Sequence, residues 1–187
     1  WTTQQMIDLL NSSPNLVEHL GHSNDTCNAR LSLADVAGLT NSEYYFMYSQ
    51  GCDAGSFDTE DVAIGEAQVV SEHGAVAALM NSRYGWYVPG NTPGASHNCA
   101  ASFWDGVLNQ GILHLGQANQ YAKDANRFRV QSTGMDRWIY MELNLLGDPE
   151  TSLQVGANTP DGTSGQIQGS VYNDADGDGV QDSGETG

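Results

Sequence analysis

The segment Tyr44-Tyr45-Phe46-Met47-Tyr48-Ser49-Gln50-Gly51-Cys52 carries the strongest fold signal in the chain. Its unbroken aromatic and apolar run suits a pleated strand buried on both faces, because a half-solvated strand would alternate with polar residues. Two comparable runs flank it: Leu16 to Leu20, closed by Gly21, and Gly74 to Met80. Helical patterns surround these runs. Thr3 to Leu10 places Met6, Leu9 and Leu10 on one side and ends at Asn-Ser-Ser-Pro. Ser32-Leu33-Ala34-Asp35 opens a second helix with a capping serine and stops near Gly38, and Asp58 to Glu72 forms a third. Helices alternating with short apolar runs predict an α/β fold, a parallel sheet with helices on both faces. Ala100 to Gln110, Ile112 to Asn126 and Trp138 to Leu146 read as further helices, and Ser152 to Val155 as a closing strand. Gly156 to Gly165 has the composition of a linker. It divides a domain over residues 1–155 from a segment over 166–187, where Gln166 to Val171 alternates like a first strand.

Charge narrows the partners. Six basic residues stand against 23 acidic ones, a formal charge of -17, and no Lys or Arg follows Arg137. Phosphate contacts need clustered Lys and Arg, so nucleic acid and anionic membranes are excluded as partners. No apolar run reaches the roughly 18–20 residues that cross a bilayer, so membrane insertion of this segment is not expected. The start at Trp1 carries no basic n-region and reads as an interior position of a longer chain. Cys27, Cys52 and Cys99 form no zinc-like spacing; the odd count allows a Cys27–Cys99 bridge with Cys52 free, among other pairings.

Two constellations carry chemistry. The first is His22, directly after Leu20-Gly21, and Cys52, directly after Gln50-Gly51. Reactive groups of an open parallel sheet gather at the carboxyl ends of its strands. Neighbouring strands would therefore bring a thiol and an imidazole to one edge, the pair that thiolate nucleophilic catalysis requires. Glycines beside both let backbone N–H groups approach a substrate carbonyl. Strand alternation turns His19 into the sheet layers and gives it a structural role. His73, His97 and His114 show no ligand spacing and are assigned to structure or surface, as is Asp53 to an exposed turn. Tyr44, Tyr45, Phe46 and Tyr48 are assigned to the core; Trp86 and Tyr87 fit core and cleft wall equally.

His19-Leu20-Gly21-His22-Ser23 resembles the Gly-His segment of the gingipain family of cysteine peptidases. Tyr48-Ser49-Gln50-Gly51-Cys52-Asp53-Ala54-Gly55-Ser56-Phe57-Asp58 resembles its nucleophile segment. Asn81-Ser82-Arg83-Tyr84-Gly85-Trp86 and Leu145-Leu146-Gly147-Asp148-Pro149 are similar to two further motifs of the family, in the family's order. The resemblance implies a caspase-like α/β fold, of which this chain holds the C-terminal portion, and an endopeptidase acting on protein or peptide substrates. Cys52 would attack the scissile carbonyl, His22 would protonate the leaving amine, and the backbone N–H groups of Cys52 and Ser23 would hold the oxyanion. Met80, Asn81, Ser82, Arg83 and Trp86 would line the substrate cleft, with Arg83 either facing acidic substrates or paired structurally. Family members usually carry Gly after the catalytic His, where this chain has Ser23. The competing expectation is a non-catalytic extracellular surface or adhesion module built on a degenerate peptidase fold, with an inert Cys52.

The second constellation is Asp174-Ala175-Asp176-Gly177-Asp178-Gly179-Val180-Gln181-Asp182-Ser183-Gly184-Glu185. It fills a calcium-loop pattern, with ligands from Asp174, Asp176, Asp178, the Val180 carbonyl, Asp182 and Glu185, and Gly179 at the sharp turn. With the strand before it, the loop resembles the start of the B-type β-sandwich domains of serine–aspartate repeat surface proteins, here truncated. Calcium is thus the expected ion, in a structural role, with no organic cofactor. A secreted or cell-envelope location follows from the resemblance and this loop. Isothermal calorimetry on the protein with its complete second domain is expected to show calcium binding that Asp176→Ala weakens at least tenfold; no heat with either protein would remove the assignment.

Overall fold

A computed structural model gives the fold and describes residues 1–59, 61–90, 94–130 and 134–154. The linker, the 166–187 segment and the calcium loop lie outside them. Residues Thr2–Gln154 form one compact unit. In chain order its elements are α1 (Thr3–Asn11), β1 (Leu16–His19), β2 (Cys27–Asn28), β3 (Leu31–Ser32), α2 (Leu33–Ala37), β4 (Tyr45–Ser49), α3 (Ile64–Val70), β5 (Ala75–Asn81), α4 (Ala95–Leu108), α5 (Leu115–Val130), α6 (Gly134–Glu142) and β6 (Leu143–Gly147). The main sheet runs β1-β4-β5-β6. β1, β4 and β5 are parallel, whereas β6 closes the edge antiparallel to β5. β2 and β3 make a separate small hairpin.

β4 is buried along its whole length, as its sequence requires. Tyr45 and Met47 face a core shared with Met6 and Leu10 of α1, Val36 of α2 and Ile64 of α3. Phe46 and Tyr48 face the other way, onto α4, where Phe103 lies 5.6 and 5.2 Å from their ring centroids. The sheet is thus covered on both faces, and every ring of β4 that enters a core does so by the two-residue alternation of a strand.

Several element boundaries depart from the sequence expectation. The helix expected over Asp58 to Glu72 begins only at Ile64. Asp58 is drawn into an ion pair with Arg83, and Thr59 folds back on Ser56 in a turn. The orphan N–H groups of the α3 first turn go instead to Asp25 and Ala54 carbonyls at 2.6 and 2.8 Å, which fixes the start. The helix expected over Trp138 to Leu146 stops at Glu142, because Leu143–Gly147 pairs with β5 in register from Asn81↔Leu143 to Ala77↔Gly147. Ser152 makes a single bridge with His114 rather than a strand, and Val155 lies outside the described residues. Tyr44 is exposed rather than core. Cys27 sits on the hairpin against α3 and Cys99 on α4, on opposite faces of the sheet; both are free thiols, so the Cys27–Cys99 bridge does not form.

Phe103 is fully buried between the β4 rings and Trp104. Truncation to Ala is expected to cost about 3–5 kcal/mol, read as a fall in the urea midpoint with an unchanged slope.

Candidate active site

β1 and β4 pair with His19 opposite Ser49. His22 and Cys52 each follow three residues later, so two arms of equal length leave adjacent strand ends. The ladder continues past the strands: Gln50 N–H donates to the His19 carbonyl at 3.0 Å. From the other side, Asn81 at the end of β5 donates its side-chain amide to the Gln50 and Gly51 carbonyls at 3.2 and 3.0 Å. The Cys52 arm is therefore held on both flanks before it reaches the thiol.

Close approach demands two glycines here. A Cβ on Gly51 would lie 2.0 Å from Ser23 Oγ, and one on Gly85 would lie 2.1 Å from the Gln50 carbonyl oxygen. Only residues without side chains let the loops after β1, β4 and β5 pack onto one another. The result is a cavity of about 380 Å³ whose lining includes His22, Cys52, Leu20, Gln50, Trp86 and His97. His22 is exposed and Cys52 half-buried, with Sγ 3.9 Å from the Gly85 carbonyl oxygen. The other two thiols lack this setting. Cys27 lies on the hairpin, and burial pushes the Cys99 thiol up to about 11.

His19 has a different task. It is buried, and its Nδ1 lies 2.9 Å from Ser49 Oγ, whose proton goes to Asn28 Oδ1 at 2.8 Å. Ser49 must then accept from His19, which fixes the Nδ1–H tautomer. Burial lowers the His19 pKa, keeping the ring neutral as a brace under the loops.

Of the residues expected to line the cleft, Trp86 lines this cavity. Met80 and Asn81 are fully buried in the sheet end and Ser82 is nearly so, its Oγ and N–H donating to the Glu142 carbonyl. Arg83 is not among the residues lining this cavity and makes a two-pronged ion pair with Asp58, at 2.9 and 2.5 Å. Trp86 is placed by a reciprocal pair with Ser96, N–H to Oγ at 2.9 Å and Ser96 N–H to the Trp86 carbonyl at 3.1 Å. Leu20 and Gln50 were legible as the residues flanking Gly-His and Gly-Cys. Ser96 and His97 come from the start of α4 and carry no local signal that links them to Cys52. Among the described residues no cluster of His, Cys, Asp and Glu is arranged to hold a metal, and the calcium ligands Asp174, Asp176, Asp178, Val180, Asp182 and Glu185 fall outside them.

Two adjacent parallel strands thus bring a thiol and an imidazole to one cavity. The model of peptidase family C25 matches residues 2–154. The chain belongs to peptidase family C25. It shares its caspase-like fold with gingipain R, described as an Arg-specific cysteine proteinase, at a TM-score of 0.70 and 17% identity over 81% of this chain and 36% of that one. The complex of the pro- and mature domains of RgpB from Porphyromonas gingivalis is similar at a TM-score of 0.68 and 18% identity, over 81% of this chain and 37% of that one. The C25 chain thus spans little more than a third of the solved structures it matches. No curated protein matches it.

Behind the site Glu142 is almost wholly buried, one carboxyl oxygen meets no hydrogen-bond partner, and burial together with the nearby Asp53 carboxylate raises its pKa to about 7 against a partial offset from Arg83. A carboxyl whose folded pKa is raised favours folding when protonated, so its contribution is complete below about pH 4.5 and lost as pH rises through about 7. Denaturation midpoints measured from pH 4.5 to 8 are expected to fall less with rising pH in Glu142→Gln than in the parent protein; parallel curves would refute the assignment.

Proposed function

We propose that this chain carries the catalytic half of a cysteine endopeptidase, with Cys52 as nucleophile and His22 as general acid and base. The observation that carries the proposal is the single cavity lined by both side chains, reached by equal arms from adjacent parallel strands. Family membership implies a protein or peptide substrate.

In the first step the Cys52 thiolate adds to the scissile carbonyl carbon, and the charge moves to the carbonyl oxygen. Backbone N–H groups of Cys52 and Ser23 receive that oxyanion; one such donor contributes roughly 10²–10³ in rate in other peptidases. The intermediate collapses as His22 gives its proton to the leaving amine, which leaves a thioester on Cys52. Water then attacks the thioester, His22 takes the water's proton, and the thiolate is regenerated. Leu20 and Trp86 give the cavity an apolar wall for a substrate side chain. An extracellular setting and a structural calcium ion in the 174–185 loop complete the proposal; the loop's oxygen-only donor set suits a hard cation.

The test is alkylation of Cys52 by iodoacetamide across pH in the full-length protein, with adducts mapped by mass spectrometry because Cys27 is also partly exposed. Fast labelling at neutral pH that drops at least tenfold in His22→Ala is expected. Labelling no faster than a free thiol and indifferent to His22 would favour the non-catalytic surface module instead.

A further inference from the structure

Ser23 stands where the resembled family usually has Gly, and its hydroxyl meets the nucleophile's own backbone. Ser23 Oγ donates to the Cys52 carbonyl oxygen at 2.6 Å. At the other end of the same peptide group, Asp53 N–H donates to the Arg83 carbonyl at 2.7 Å. Asp53 itself sits at φ +56°, the left-handed region that few residues other than Gly adopt. The turn beyond is stitched to the end of β5 by Gly55 N–H to the Asn81 carbonyl at 2.9 Å and Ser56 Oγ to the Ser82 carbonyl at 2.9 Å. These bonds secure the side of the turn that faces β5. The side facing the His22 loop is secured at the Cys52 carbonyl by Ser23, whose hydroxyl fills the space that Gly51 leaves open.

We infer that Ser23 is a positioning residue for the nucleophile, acting through its side chain. A peptide group gripped at both oxygen and nitrogen cannot rotate. Ψ of Cys52 and φ of Asp53 are therefore fixed, and with them the direction of the Cys52 Cα–Cβ bond. Without the hydroxyl the strained turn at Asp53 is free to relax by rotating this peptide, and the thiol swings away from the attack line while the cavity wall stays in place. Ser23 also ties the His22 arm to the Cys52 arm beyond the Gln50–His19 bond at their bases, close to the two side chains themselves. This role rests on the proposed Cys–His dyad, with Ser23 added to it.

The experiment uses the full-length protein and the best substrate from a fluorogenic peptide panel covering every residue before the cleaved bond. Ser23→Ala and Ser23→Gly are expected to lower kcat about tenfold, the size of one lost hydrogen bond expressed as a rate. KM should stay within about twofold, since a loss confined to the reacting geometry leaves ground-state binding alone. Hydrogen exchange at the Asp53 amide should accelerate in both variants. Unchanged kcat in both variants overturns the inference, even with faster exchange, because the bond would then hold the loop without setting the nucleophile. Unchanged exchange overturns it as well. Turnover that survives in Cys52→Ala would sink the dyad itself, an outcome distinct from either, because the exchange measurement reads the Ser23 bond without reference to activity.

Discussion

Everything at the site follows from the parallel pairing of β1 with β4 in one register, His19 against Ser49. Parallel strands are held by evenly spaced, slanted hydrogen bonds, and a slip of one residue would turn every side chain to the opposite face. Here a slip would exchange Tyr45 and Met47 with Phe46 and Tyr48 between two cores of different shape, and close-packed cores tolerate such repacking poorly. The two cores therefore lock the register, and the register places the His22 and Cys52 arms side by side. The juxtaposition of these two side chains at the sheet end is a consequence of aromatic packing in its middle.

The loops then resolve a problem of crowding. Three of them, following β1, β4 and β5, converge within the reach of a single hydrogen bond, and bulk is removed at Gly51 and Gly85 to admit them. Many of the polar groups brought together there are paired: Asn81 spans two carbonyls, Ser96 exchanges bonds with Trp86, and Ser49 relays between His19 and Asn28. Each such bond offsets part of the cost of burying polar groups beside the cavity. Arg83 and Asp58 close the outer side of the same turn at the surface, where an ion pair contributes little energy but holds the main chain in place.

Much of this was legible in the sequence, and the reasons differ by element. β4 and β5 declared themselves because strands buried on both faces must be continuously apolar. α1 did so through the spacing of Met6, Leu9 and Leu10 and the Asn-Ser-Ser-Pro stop, and α2 through its capping Ser32; the structure adds the boxes that Gln5 and Asp35 complete. The late start of α3 was not legible, since it is set by carbonyls of Asp25 and Ala54 that are close only in space. Nor was β6, where Leu143–Gly147 has the composition to continue a helix and pairs with β5 through tertiary contact. In the site, Cys52 and His22 were readable from Gly-Cys and Gly-His after apolar runs. Met80, Asn81 and Ser82, expected along the cleft, are buried at the end of β5, because being next to a site in sequence does not decide which way a strand end turns its side chains. Ser96 and His97 enter from α4, and no pattern within ten residues announces them.

The equal length of the two arms has a consequence for how such a chain can change over time. Inserting or deleting a residue in either arm would move His22 or Cys52 by about 3.3 Å along the strand direction relative to the other, more than the tolerance of the proposed proton transfer. Substitution carries no such penalty so long as the glycines and the apolar faces persist. Divergence should therefore accumulate by exchange of residues at constant spacing here, while length variation is displaced to segments that touch neither arm. A chain sharing only 17% of its residues with gingipain R and still superposing at a TM-score of 0.70 is what that asymmetry would leave behind.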